Sequence, residues 1–164
     1  MNSEVLRDNH LRVAAKRWWL LLKTSCLNLK IMKYEKSNKE IITKIFSELS
    51  NGNDEPLLDA MSEDMQWNWM GSGQWSKSFV GKKEVLNDLW KNVRTTIKQP
   101  YKVLVHRIIA DGENVVVEMT GQNETTTDQE YKNNYCWICR LKDGKIFEIN
   151  VYMDTELVTK AFSK

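Results

Sequence analysis

YKNNYCWICRLKDGKIFEINVYMDT, residues Tyr131 to Thr155, carries two alternating apolar runs on either side of Lys142-Asp143-Gly144-Lys145. Asp-Gly between two such runs is among the strongest short-range hairpin signals. Both arms are long and dense in aromatic and β-branched residues. They predict a central strand pair with one face on a core, not a loose edge.

Working outward, Tyr101–Ala110 and Asn114–Gln122 flank Asp111-Gly112-Glu113 and predict an earlier hairpin, with residues 123–129 a polar tip between the two. A first helix is expected to open at the capping box Ser37-Asn38-Lys39-Glu40, to carry Ile41, Ile42, Ile45, Phe46 and Leu49 on one face, and to stop at Asn51-Gly52. A second starts at Asp54-Glu55-Pro56, shows Leu57, Leu58 and Met61 as its stripe, and closes at Ser62-Glu63-Asp64. Met65–Met70 alternates Trp67 and Trp69 with Gln66 and Asn68, a half-buried strand broken by Gly71-Ser72-Gly73. Residues 74–80 read as a loop with Trp75 and Phe79 turned inward. A third helix runs from about Lys82 to Ile97 and is stopped by Gln99-Pro100; a tail helix carries Leu157, Val158, Ala161 and Phe162. Helices followed by a meander of strands predict an α+β fold, a strongly curved antiparallel sheet wrapped around N-terminal helices.

A chain of 164 residues is enough for one core. Its 24 basic and 22 acidic side chains are interspersed, and no zinc-finger or helix-turn-helix spacing occurs, so no nucleic-acid partner is expected. Residues 1–31 differ, with six basic side chains against two acidic ones. Their apolar centre, Trp18 to Leu22, is too short for a signal-peptide core or a membrane span, so no membrane partner is expected. Met32 reads as an alternative start. Residues 1–31 are therefore expected as a basic extension that is flexible, poorly packed as a helix, or a misassigned start, and 32–164 as the domain. Cys136 and Cys139 have CxxC spacing, but within a strand they face opposite sides roughly 10 Å apart, beyond a disulfide or a shared ion. An odd cysteine count with no disulfide framework fits a reducing cytoplasm.

The span from Tyr34 to Phe162 resembles the nuclear transport factor two-like superfamily, and within it the polyketide cyclase (SnoaL-like) group. The residues that carry the resemblance are the two short helices before Asp64, Phe79-Val80-Gly81-Lys82, His106 to Gly112, Tyr131 to Cys136, and Asp143-Gly144-Lys145-Ile146 through Tyr152-Met153-Asp154-Thr155. The resemblance implies a cone with an apolar pocket at its centre, and a homodimer formed through the outer sheet face. Ketosteroid isomerase, which shares that fold, uses an aspartate base and an oxyanion hole of tyrosine and protonated aspartate. By the same resemblance the tyrosine falls at Phe46, the base at Trp69 and the acid at Trp137, all apolar here, which argues against isomerisation by that route.

Inward Trp69 and Trp137 set the parity of their strands, so Trp67, Asn133, Tyr135 and Cys139 should share the cavity side while Asn134, Cys136, Ile138 and Arg140 face away. His106 is the domain's one imidazole and the candidate acid/base, with a strand histidine outside the cavity as the alternative; Tyr135, the second catalytic candidate, would orient a ligand carbonyl as Asn133 could, or else both satisfy buried backbone. Trp67, Trp69, Asn133, Trp137 and Phe46 are the candidate ligand-binding residues. Asp154 is expected to cap the tail helix, Glu118 to lie on the wet face, and Trp90 to be core. No metal set, phosphate loop or dinucleotide fingerprint occurs, and no cofactor is expected. With the SnoaL-like resemblance these observations imply a cofactor-free protein for a small apolar, carbonyl-bearing molecule, with isomerase-, cyclase- or hydrolase-type acid–base turnover an open question. The alternative is a non-catalytic binding module or dimeric interaction domain.

Overall fold

Between Ser3 and Ser50 the sequence holds neither glycine nor proline, and one helix, α1 (Ser3–Ser50), occupies the whole span in the computed structural model. The structure describes the backbone of residues 3–162 and the side chains of Lys23, Thr24 and residues 27–162; the expectations for Trp18 to Leu22 and for Cys26 lie outside the described side chains. The chain divides into two compact units, residues 1–34 and 35–164. In the first, side chains 27–34 are exposed. The second holds the end of α1 and every later helix and strand. No helix among the described residues is long and apolar enough to cross a membrane.

The Ser37 capping box does not begin a helix. A serine caps only where the chain before it leaves the helical conformation, and the leucines, lysines and methionine upstream are good helix formers. Asn38 is instead buried and donates from Nδ2 to the Gly112 carbonyl at 3.1 Å, joining α1 to the turn of the first hairpin. Ile42, Ile45, Phe46 and Leu49 are buried as their spacing predicts. The helix ends where expected: Gly52 adopts φ +89°, and the Gly52 and Asn53 amides fold back onto the carbonyls of Leu49 and Glu48.

After α2 (Glu55–Ala60) the chain turns directly into β1 (Met61–Trp69), so Met61 is a strand residue and not the end of a helical stripe. Residues 74–80, expected as a loop, contain β2 (Lys77–Val80), in which Phe79 pairs with Trp67. The third helix begins as α3 (Lys82–Glu84), widens to a π-helical segment (Val85–Trp90) and resumes as α4 (Lys91–Thr96). The rest is β3 (Val103–Asp111), β4 (Asn114–Gly121), the small β5 (Asn123–Glu124) and β6 (Glu130–Tyr131), β7 (Asn134–Lys142), β8 (Lys145–Met153) and α5 (Thr155–Phe162).

The main sheet has the order β2-β1-β8-β7-β4-β3. Its β1–β8 pair is parallel, so the sheet is mixed and not wholly antiparallel as the meander suggested. Alternation along β1 shows which residues face the core; it does not show which distant strand will lie beside it. The organising hairpin forms as its sequence predicts. Asp143 (φ 51°) and Gly144 (φ 77°) form its two-residue turn, both in the left-handed region that such a turn requires. Tyr135, Trp137 and Cys139 pair with Met153, Val151 and Ile149 on the buried face. Cys136 is half-buried and on the opposite face from buried Cys139, and both are free thiols.

Candidate functional site

The π-helical segment and α4 present Leu89, Trp90, Val93 and Ile97 to the inner face of the sheet, where β1 supplies Trp67 and Trp69, β7 Tyr135 and Trp137, and β8 Val151 and Met153. Between them lie two adjoining spaces. The outer one, about 600 Å³, has a polar rim that includes Gln74, Lys77, Asp88 and Asn92 over an aromatic floor of Trp69, Trp75, Phe79 and Phe162. The inner one, about 30 Å³, has room for little more than one water-sized group. Trp69, Leu89, Val93 and Phe162 border both and form the throat.

Edge contacts hold the rings. Trp67 and Trp137 meet edge-on with centroids 4.9 Å apart, Phe46 backs Trp137 at 5.6 Å, and Trp67 leans on Trp90 at 5.7 Å. Such pairs add about 0.5–1.5 kcal/mol each beyond the area they bury. At the mouth, Trp75 donates its indole N–H to Thr159 Oγ1 at 2.9 Å and packs on Phe162. The indole N–H groups of Trp67 and Trp137 are buried with no acceptor among the described residues.

Three phenols line the inner space: Tyr101, Tyr131 and Tyr135. Tyr135 donates to Tyr131 Oη at 3.1 Å, and Tyr101 borders the same space. Burial raises the pKa of each above that of an ordinary tyrosine, since a phenolate there would lose its hydration. All three are therefore protonated at neutral pH. Among the described residues the inner space has no carboxylate, imidazole or amine in its walls.

The expected ligand-binding residues divide. Trp67, Trp69 and Trp137 line the inner space; Phe46 does not, lying behind Trp137. Asn133 does not line it either: it is fully buried, its Nδ2 donating to the Asp154 carbonyl at 2.9 Å and its Oδ1 accepting from the Asp154 amide at 3.0 Å. Tyr135 lines the inner space. His106 is not with it. Val103 and Val105 point inward before a bulge between Val105 and Arg107, and Ile108 and Ala110 after it, which leaves His106 and Arg107 adjacent on the exposed face. There His106 Nε2 meets Thr120 Oγ1 at 2.8 Å, and Thr120 donates to Asn134 Oδ1.

Asp154 caps α5, its Oδ1 accepting from the Glu156 and Leu157 amides, and Glu118 is exposed beside Arg107. Trp90 is core and also a cavity wall. Tyr131 and Tyr101 are site residues that sequence reasoning missed. Tyr131 shares its parity with Asn133 and Tyr135, a signal present in the organising stretch; Tyr101 lies beyond the end of the third helix and carries no such local sign.

No curated protein matches the sequence. Among solved structures the chain is similar to a nuclear transport factor two-like protein of Burkholderia pseudomallei (16% identity, 78% of this chain and 98% of that one, TM-score 0.66). It is also similar to a candidate SnoaL-like polyketide cyclase of Jannaschia sp. CCS1 (18%, 79% and 94%, 0.62) and an LEH-like epoxide hydrolase of M. tuberculosis (18%, 78% and 90%, 0.59). At such identities the likeness concerns the fold. The SnoaL-like domain pattern matches residues 42–149, well over half of the sequence, and with its α+β architecture and aromatic interior this chain belongs to the SnoaL-like domain family, with a nuclear transport factor two-like fold.

Proposed function

We propose that the domain is a binding module for a flat, apolar, carbonyl-bearing small molecule, held with its body in the outer space and its tip at the throat. The observation that carries this reading is the pairing of a roomy, aromatic-floored cavity with a narrow inner space whose polar groups are hydrogen-bond donors. Aromatic walls with a few oriented polar groups suit such a ligand. Acid–base turnover leaned on His106, and its place on the exposed face removes that support. Two free thiols in β7 suit a reducing compartment, so we propose a cytoplasmic location as well.

Purified protein, denatured and extracted into organic solvent, should release an apolar compound detectable by mass spectrometry. The same compound returned to stripped protein should raise its melting temperature by mass action. If nothing is recovered and no apolar probe shifts the melting temperature, the binding reading is overturned.

A further inference from the structure

Within the inner space the hydroxyl protons can be counted. Tyr131 and Tyr135 carry one O–H proton each, and one hydrogen bond joins them. One link consumes one proton, so the other O–H is left over for something outside the pair. Which one follows from the donors. Tyr135 gives its proton to Tyr131, so the O–H left over is that of Tyr131.

Asn133 fixes the other end. Its Oδ1 accepts from the Asp154 amide and its Nδ2 donates to the Asp154 carbonyl, which sets the orientation of the amide. The same Nδ2 then lies 3.4 Å from Tyr131 Oη as a donor. Tyr131 therefore accepts and has its own proton to give. A hydroxyl that accepts hydrogen bonds is polarised into a better donor.

Resting on the proposed binding function, we propose that Tyr131 is the specificity-determining residue of the cavity: its O–H, with Tyr135 and Asn133 both donating to its oxygen, selects an uncharged ligand tipped by a single acceptor oxygen. The unpartnered indole N–H groups of Trp67 and Trp137 bound the same space and offer donors of the same sense. A hydrocarbon tip would leave these donors unmet. A carboxylate would have to give up its hydration in a space whose walls hold no cation among the described residues. A ketone or aldehyde oxygen avoids both costs, and one oxygen is about what the inner volume admits.

Three naphthalenes of matched shape test this by equilibrium dialysis at neutral pH: 2-acetylnaphthalene (neutral acceptor), 2-isopropylnaphthalene (hydrocarbon) and 2-naphthoate (anion). The wild type is expected to bind the ketone about tenfold more tightly than the hydrocarbon, the worth of one hydrogen bond to a buried donor, and the anion most weakly. Tyr131→Phe removes one oxygen and should bring the ketone-to-hydrocarbon ratio down toward one, by weakening the ketone and not the hydrocarbon; an unchanged far-UV circular dichroism spectrum shows that the variant is folded. Tyr152→Phe, an exposed phenol on the opposite face of the sheet, should keep the wild-type ratio. Equal binding of ketone and hydrocarbon by the wild type, tightest binding of the anion, or a ratio unmoved in Tyr131→Phe would each overturn the assignment while the binding reading stands. Failure of all three probes to bind the wild type would count against the binding reading itself.

Discussion

Asp54 and Trp90 are joined by a 2.6 Å hydrogen bond from the indole N–H to Oδ2, although 36 residues separate them. Arg94 Nη2 reaches the same oxygen at 2.7 Å. One carboxylate at the start of α2 thus holds both the last residue of the π-helical segment and the first turns of α4, and Trp90 is a wall of the inner space. The contact belongs to packing, and its consequence falls on the site.

Asp54→Ala should lower unfolding free energy by about 2–3 kcal/mol, because a charge-assisted bond is lost and a buried indole N–H is left unpaired. Urea denaturation measures this. In a Trp90→Phe background the same substitution should cost much less, because the coupled partner is gone. A cost below about 0.5 kcal/mol in the wild-type background would show that the bond contributes little.

Gly52→Ala should cost at least about 2 kcal/mol, through the left-handed backbone and through crowding. Gly52 has φ +89°, and an added Cβ would come within 2.7 Å of Pro100 Cβ. Gly73→Ala is the control, since nothing lies within 4 Å of the position its Cβ would take. Equal urea midpoints for the two variants would contradict this account of how α1 ends.

Stability should fall as pH rises above about 9. Burial pushes the Cys139 thiol up to about 12 and raises Tyr101, Tyr131 and Tyr135 above the ordinary tyrosine value. Above the ordinary values the unfolded chain releases these protons while the folded chain keeps them. The unfolded state then binds fewer protons, and each group lowers stability by up to about 1.4 kcal/mol per pH unit until its folded-state value is reached. Urea midpoints at pH 8, 9, 10 and 11 should decline, and less steeply in Tyr135→Phe. A flat profile would mean that these groups titrate alike in both states.

The organising hairpin was legible because its information is local. Asp143-Gly144 specifies the turn, and a period of two then places Tyr135, Trp137 and Cys139 together on the buried side. Asp154 was legible as a cap for the same reason, its carboxylate serving amides two and three residues on. The start of α1 was misread because a capping box signals a beginning only if the preceding chain is not helical. His106 was hard to place because one extra residue in β3 shifts the facing of everything after it, and composition does not mark a bulge.

By itself the sequence determined the α+β class, the two long hairpins, the end of α1 at Gly52 and the inward parity of Trp67, Trp69, Tyr135 and Trp137, since turns and alternation act over a few residues. Only the tertiary structure decided that β1 runs parallel to β8, that His106 stays outside, and that Tyr101 and Tyr131 line one space with Tyr135. Those outcomes depend on which distant surfaces meet. Strand pairing, bulges and shared protons are settled by packing across the whole domain, and no window of neighbouring residues contains them.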